Sequence, residues 1–182
     1  MLENVESIDW NSLGHPKVPE FLRQLASNNR RDQVEATDRL EAEVILGGKD
    51  WQSFDLGVGI SVALRNDTPL LLVPFLLELL SLNTSDNKPD ILYLLSRMLF
   101  YNNMMDEGDV YKERSEKVRT AIWEGRVIFA DLLSSQNIAT RKSALSVLIE
   151  FNESTRISET YELIVRRFEP KLPLPEAKNT ES

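Results

Sequence analysis

Three stretches of the chain repeat one order of apolar and polar positions. They are VPEFLRQLAS at 18 to 27, VPFLLELLSL at 73 to 82 and RVIFADLLSS at 126 to 135. Phe21, Leu22, Leu25 and Ser27 match Phe75, Leu76, Leu79 and Ser81, and these match Ile128, Phe129, Leu132 and Ser134. The period is about 54 residues, within the range of tandem structural repeats. Each copy leads, after a short polar break, into a second apolar-periodic segment. In KPDILYLLSRMLF, Pro89 suits a first helical turn, and Ile91, Leu94, Leu95, Met98 and Leu99 fall on one helical face. RRDQVEATDRLEAEVIL has Val34, Ala36, Leu40 and Val44 as its stripe, and ATRKSALSVLIEF has Ala144, Leu145, Leu148 and Phe151. The spacing makes Ala36, Ile91 and Ala144 equivalent, as it does Leu40, Leu95 and Leu148.

Each period has room for a third helix. EGDVYKERSEKVRTAIWEG places Glu113 and Lys117 as an i, i+4 pair, puts Tyr111, Val118 and Ile122 on one side, and offers Gly125 as a stop. ISETYELIVRRFE plays the same part near the end, with Ser158 as its cap and Ile164 and Phe168 facing inward. In SFDLGVGISVALRN the apolar residues alternate as they would in a strand, but a lone strand among helices has no partner, so a helix is expected.

Short helical units cannot bury their stripes alone. They are expected to stack into an all-α, right-handed solenoid of about three units with two to three helices each. That also accounts for PLLLVPFLLELLSL at 69 to 82, which is apolar nearly all round because its unit has neighbours on both sides. A membrane span needs about twenty apolar residues, and this run is shorter and holds Pro74 and Glu78. The start, MLENVESIDWNSLGHPK, has acids where a secretory signal needs basic residues, so a cytoplasmic location is expected. Residues 1–168 are read as one domain and 169–182 as a flexible C-terminal tail.

The repeats, with IDWNSLGHPKVPEFLRQLAS, NDTPLLLVPFLLELLS and VRTAIWEGRVIFADLLSSQNIATRKSALSVLIEF, resemble HEAT-repeat, armadillo-like proteins. More narrowly, they resemble a bacterial group of small HEAT-type proteins that includes immunity proteins of toxin systems. The resemblance covers roughly residues 8 to 152. Arg141 matches the basic position early in the second helix of the HEAT pattern, whereas the middle copy has Lys88 and Pro89 and departs from it. Its motifs are structural rather than catalytic, so it specifies the fold well and the function poorly.

Chemistry is sparse. The 182-residue chain has no cysteine, which removes disulfides, thiolate nucleophiles and Cys-ligated zinc. Its only histidine, His15, would have to carry any zinc site or hydrolase triad by itself, and a loop or cap role is the better reading. GISVA lacks the final glycine of a nucleophile elbow and has no later histidine as base. GGKD at 47 to 50 has Glu43 and Asp50 where a phosphate loop needs Gly and Ser or Thr, and reads as a helix stop. MMDEGD does not match calcium-loop spacing and reads as a polar loop before a helix. No cofactor and no metal are expected. Trp10, Trp51 and Trp123 stand near helix ends, where aromatics either fill a core or anchor a partner.

A surface remains. Stacking the second helices in register sets Glu35 beside Asp90 and Ser143, Asp38 beside Tyr93 and Ser146, and Ala42 beside Arg97 and Glu150. The expected partner-binding residues are therefore Glu35, Asp38, Asp90, Tyr93 and Arg97. The net charge of -8 argues against general nucleic-acid binding and favours a basic protein partner. The leading expectation is a non-enzymatic protein-binding module, with an immunity protein occluding a basic toxin domain as the form the resemblance implies. One alternative is a HEAT-like alkylpurine DNA glycosylase using Trp123 with Asp109 or Asp131, and Arg114, Lys117 and Arg119 for charge. The other is a scaffold or lyase-like subunit acting on another protein.

Overall fold

A computed structural model of the chain describes residues 2, 4–46, 67–82, 87–103 and 112–152. Among them the architecture is all-helical, with no strand. The alternating segment SFDLGVGISVALRN, GGKD, MMDEGD, Trp51, Tyr111, ISETYELIVRRFE and residues 169–182 lie outside the described residues. After a short 3-10 turn, Val5–Ser7, come α1 (Val18–Leu25), α2 (Arg30–Leu40), α3 (Thr68–Ser81), α4 (Lys88–Asn103), α5 (Lys112–Glu124), α6 (Arg126–Leu132) and α7 (Ile138–Asn152).

The three matching stretches form α1, α3 and α6, and the segments after them form α2, α4 and α7. Prolines open two of the first helices: Pro19 and Pro69 both sit in first turns, where the missing amide has no intrahelical acceptor to lose. Pro74 lies inside α3, with its ring turned to solvent, while Leu72, Val73, Phe75, Leu76, Leu79 and Leu80 are buried around it. α3 thus buries most of its apolar residues.

Each second helix starts from an asparagine. The Asn29 side chain accepts the Arg31 amide at 3.0 Å, and that of Asn137 accepts the Ala139 amide at 2.9 Å. The surroundings of these two caps match: the Ser27 and Ser135 hydroxyls each accept the asparagine amide at 3.2 Å, and Gln33 and Arg141 each reach back to the serine carbonyl at 2.6 Å. At the head of α4, Asn87 instead donates through Nδ2 to the Leu25 carbonyl, joining the end of α1 to the start of α4.

Packing follows the pairs, with α1 against α2, α3 against α4 and α6 against α7. α4 lies between α2 and α7 and touches both, most extensively α7, and α5 packs across α3 and α4. Leu79, Leu95 and Leu148 are fully buried and Leu132 nearly so, and with their equivalents Leu25 and Leu40 they lie in one continuous core. Trp10 and Trp123 are core residues as well. Trp10 donates from Nε1 to the Val5 carbonyl at 2.6 Å and meets Phe75, while Trp123 stands edge-on to Phe151 with ring centres 4.9 Å apart. The Arg119 guanidinium donates to the Phe151 carbonyl at 3.3 Å, tying α5 to the end of α7.

Gly125 separates α5 from α6 as expected, for a packing reason. It is buried, and a Cβ there would come within 2.8 Å of the Phe129 ring and closer still to Leu77. The expected Glu113–Lys117 pair is present at 2.8 Å. One stripe position is corrected: Val34 is 40% exposed, because two residues of helix turn it about 200° from Ala36. Gln33 takes the inward place and satisfies its amide on Ser27.

Candidate protein-binding face

The outer line of α4 is set by helical spacing. Tyr93 and Phe100 stand seven positions apart, so they fall on one line along the helix, opposite the buried Ile91, Leu94, Leu95 and Met98. They are 41% and 40% exposed, high for aromatic rings. Val34 on α2 and Ile149 on α7 are exposed on the flanking helices.

Between α4 and α2 the polar side chains lock together. α2 passes into a five-residue π turn, Glu41–Ile45, closed by the Leu46 amide donating to the Glu41 carbonyl at 2.8 Å. Wide turns of this kind recur at functional sites. From its first position the Glu41 carboxylate accepts the Arg97 Nε at 2.7 Å and the Tyr93 hydroxyl at 2.8 Å. Arg97 also donates to the Tyr101 hydroxyl, and its guanidinium lies 4.8 Å from the Tyr101 ring centre and 5.5 Å from that of Phe100. Further up the seam, Arg30 pairs with Asp90 through both terminal guanidinium nitrogens. Arg30 opens α2 and Glu41 follows its end, whereas Asp90 opens α4 and Arg97 lies two turns on. The two helices therefore run in the same direction.

Titration behaviour reflects this seam. Burial, then the hydrogen bond to Glu41, pushes the Tyr93 hydroxyl up to about 12. Burial works against the charge on Arg97, but the Glu41 hydrogen bond and the neighbouring acidic groups outweigh it and raise its pKa. Burial raises Tyr101 too, with Arg97 opposing. His15 lies half-buried in the loop before α1, its pKa lowered by burial against the pull of Glu43.

The structure brings together three of the five expected residues and separates two. Asp90, Tyr93 and Arg97 share the seam, but their partners are Arg30 and Glu41 rather than Glu35, Asp38 and Ala42. Glu35 and Asp38 are exposed on α2 and make no ion pair among the described residues. Asp90 is accordingly a paired side chain, not an open one. Glu41 and Phe100 were absent from the expected set. Together, α2 with its π turn, α4 and α7 carry as many Lys and Arg as Asp and Glu, so the acid excess of the chain lies elsewhere.

No family model, no curated protein and no solved structure matches this chain. Among the described residues no group of His, Cys, Asp and Glu could hold a metal ion, and no helix is long and apolar enough to cross a membrane.

Proposed function

We propose that this protein is a non-enzymatic protein-binding module, a HEAT-like right-handed solenoid that holds another protein against the outer face of α2, α4 and α7. One observation carries the reading: Tyr93 and Phe100 project from a helix whose neighbouring polar groups are already tied to one another through Glu41 and Arg97. Exposed aromatics on a rigid element, beside an arginine, have the composition of interface anchors, because they bury large area at little cost in side-chain freedom. Absence of cysteine fits a reducing compartment, and we place the protein in the cytoplasm. The resemblance to HEAT-type immunity proteins makes a toxin domain the first class of partner to try.

The glycosylase reading is the weaker one. The aromatic it would use, Trp123, is 5% exposed and packed on Phe151, so it offers no open ring to a base.

Affinity capture from the source cells, with cross-links mapped to the chain, tests the proposal. Cross-links should fall on α2, α4 and α7, and Tyr93→Ala should speed dissociation of the captured partner by about tenfold or more. Cross-links confined to other faces, with unchanged kinetics for Tyr93→Ala, would remove this face. Base excision from alkylated DNA by the purified chain would replace the binding reading.

A further inference from the structure

We infer that the segment seated on this face is the apolar side of an amphipathic helix with near-zero net charge, whatever the net charge of the protein that carries it. The inference rests on the protein-binding reading above and narrows the partner's chemistry.

The sequence as a whole favours a basic partner, yet the layer formed by α2 with its π turn, α4 and α7 has balanced charge. Within it, Arg97 is neutralised by Glu41 and Asp90 by Arg30. Beside the ridge, the charges without an ion pair among the described residues are of both signs, with Asp38 on the α2 side and Lys142 on the α7 side. A polybasic segment would meet Lys142 and a polyacidic one Asp38, and either would gain little long-range attraction from a neutral layer. The complement is a helix with a basic residue on one flank and an acidic residue on the other.

All three elements are helices, whose interior amides and carbonyls bond within the helix, so the face has no open edge to which an extended strand could add. Contact must be made through side chains. Tyr93 and Phe100, about 10 Å apart along α4, match the i and i+7 spacing of a facing helix, whose stripe can take the rings between its own residues. Ile149 extends the apolar surface onto α7, with the small Ser96 and Ser146 leaving room on the two helices.

The test uses the full chain as bait for a displayed library of helical peptides of varied charge. Enriched peptides should carry apolar residues at i, i+3 or i+4 and i+7 with near-zero net charge. Their Kd should change less than about threefold between roughly 0.05 and 0.5 M salt. Tyr93→Ala/Phe100→Ala should weaken them about tenfold or more while still melting cooperatively, at a lower temperature because the bond to Glu41 is lost, whereas Val127→Ser, at an exposed apolar site on α6, should leave them unchanged. Polybasic or polyacidic winners, no enrichment, or binding indifferent to the double variant would overturn the inference. The captured natural partner separates the two claims: cross-links on this face from a polybasic loop would sink the helix inference and keep the binding reading, and cross-links elsewhere would sink both.

Discussion

Arg97 on α4 donates its Nε–H to the carboxylate of Glu41, 2.7 Å away at the start of the π turn, and so joins two helices that the chain separates by 56 residues. The pair is partly shielded, with the Glu41 side chain only 16% exposed, and Glu41 also holds Tyr93. Glu41→Ala should therefore destabilise the fold by about 1–3 kcal/mol, since it strips the acceptor from a half-buried guanidinium and a phenol at once. A double-mutant cycle with Arg97→Ala, read by urea unfolding, should show a coupling of at least about 0.5 kcal/mol. Additive losses would mean that the seam is held by packing alone.

Leu95→Ala should cost about 2–5 kcal/mol, because Leu95 is fully buried on the central helix with α3, α5 and α7 packed around it. Equilibrium unfolding measures this directly. A loss under about 1 kcal/mol would show that the site collapses freely, contrary to its place in one continuous core.

Much of this fold was legible because burial repeats in the sequence. Phe21, Leu22 and Leu25 predicted α1, the matching residues predicted α3 and α6, and the equivalent leucines Leu25, Leu79 and Leu132 are all buried. Val34 misled because a valine counts as apolar wherever it stands, while the inward position beside it is held by Gln33, whose amide finds a carbonyl. The caps carried an unused signal: SNN, SDN and SQN stand at 27–29, 85–87 and 135–137, one before each second helix. The binding face was half legible. Tyr93 and Arg97 follow from helical spacing, but Glu41 depends on a π turn that widens the end of α2, and the residue pattern gives no sign of it.

The two matched caps make a paired prediction. Asn29→Ala and Asn137→Ala should each cost about 1 kcal/mol, because each removes the acceptor for the first free amides of its helix. The losses should be similar, since each asparagine sits in the same arrangement of serine and reaching side chain. Thermal melts of the two variants will compare them. If Asn137→Ala is neutral while Asn29→Ala is not, the likeness of the two caps is geometric only.

The last prediction concerns alkaline pH and Tyr93. Its hydroxyl is raised from the ordinary 10 to about 12 by burial and by donating to Glu41, a bond that ionisation would break. A group whose folded pKa exceeds its unfolded value holds its proton longer in the native state, so its contribution is complete below about pH 10 and is lost as pH rises toward 12. Wild type should thus exceed Tyr93→Phe in stability by about 0.5–1.5 kcal/mol at pH 8, the range of a single hydrogen bond. The ring is well exposed, so solvent screening keeps the figure near the lower end. The gap should narrow steadily between about pH 10 and 12, in a window where lysines titrate in both proteins and cancel from the difference. Urea unfolding at several pH values gives the gap, and ultraviolet titration should show the latest phenolate step shrinking by one tyrosine in Tyr93→Phe. A gap that stays constant to pH 11 would mean that Tyr93 ionises as it does in water, and that Glu41 does not hold its hydroxyl.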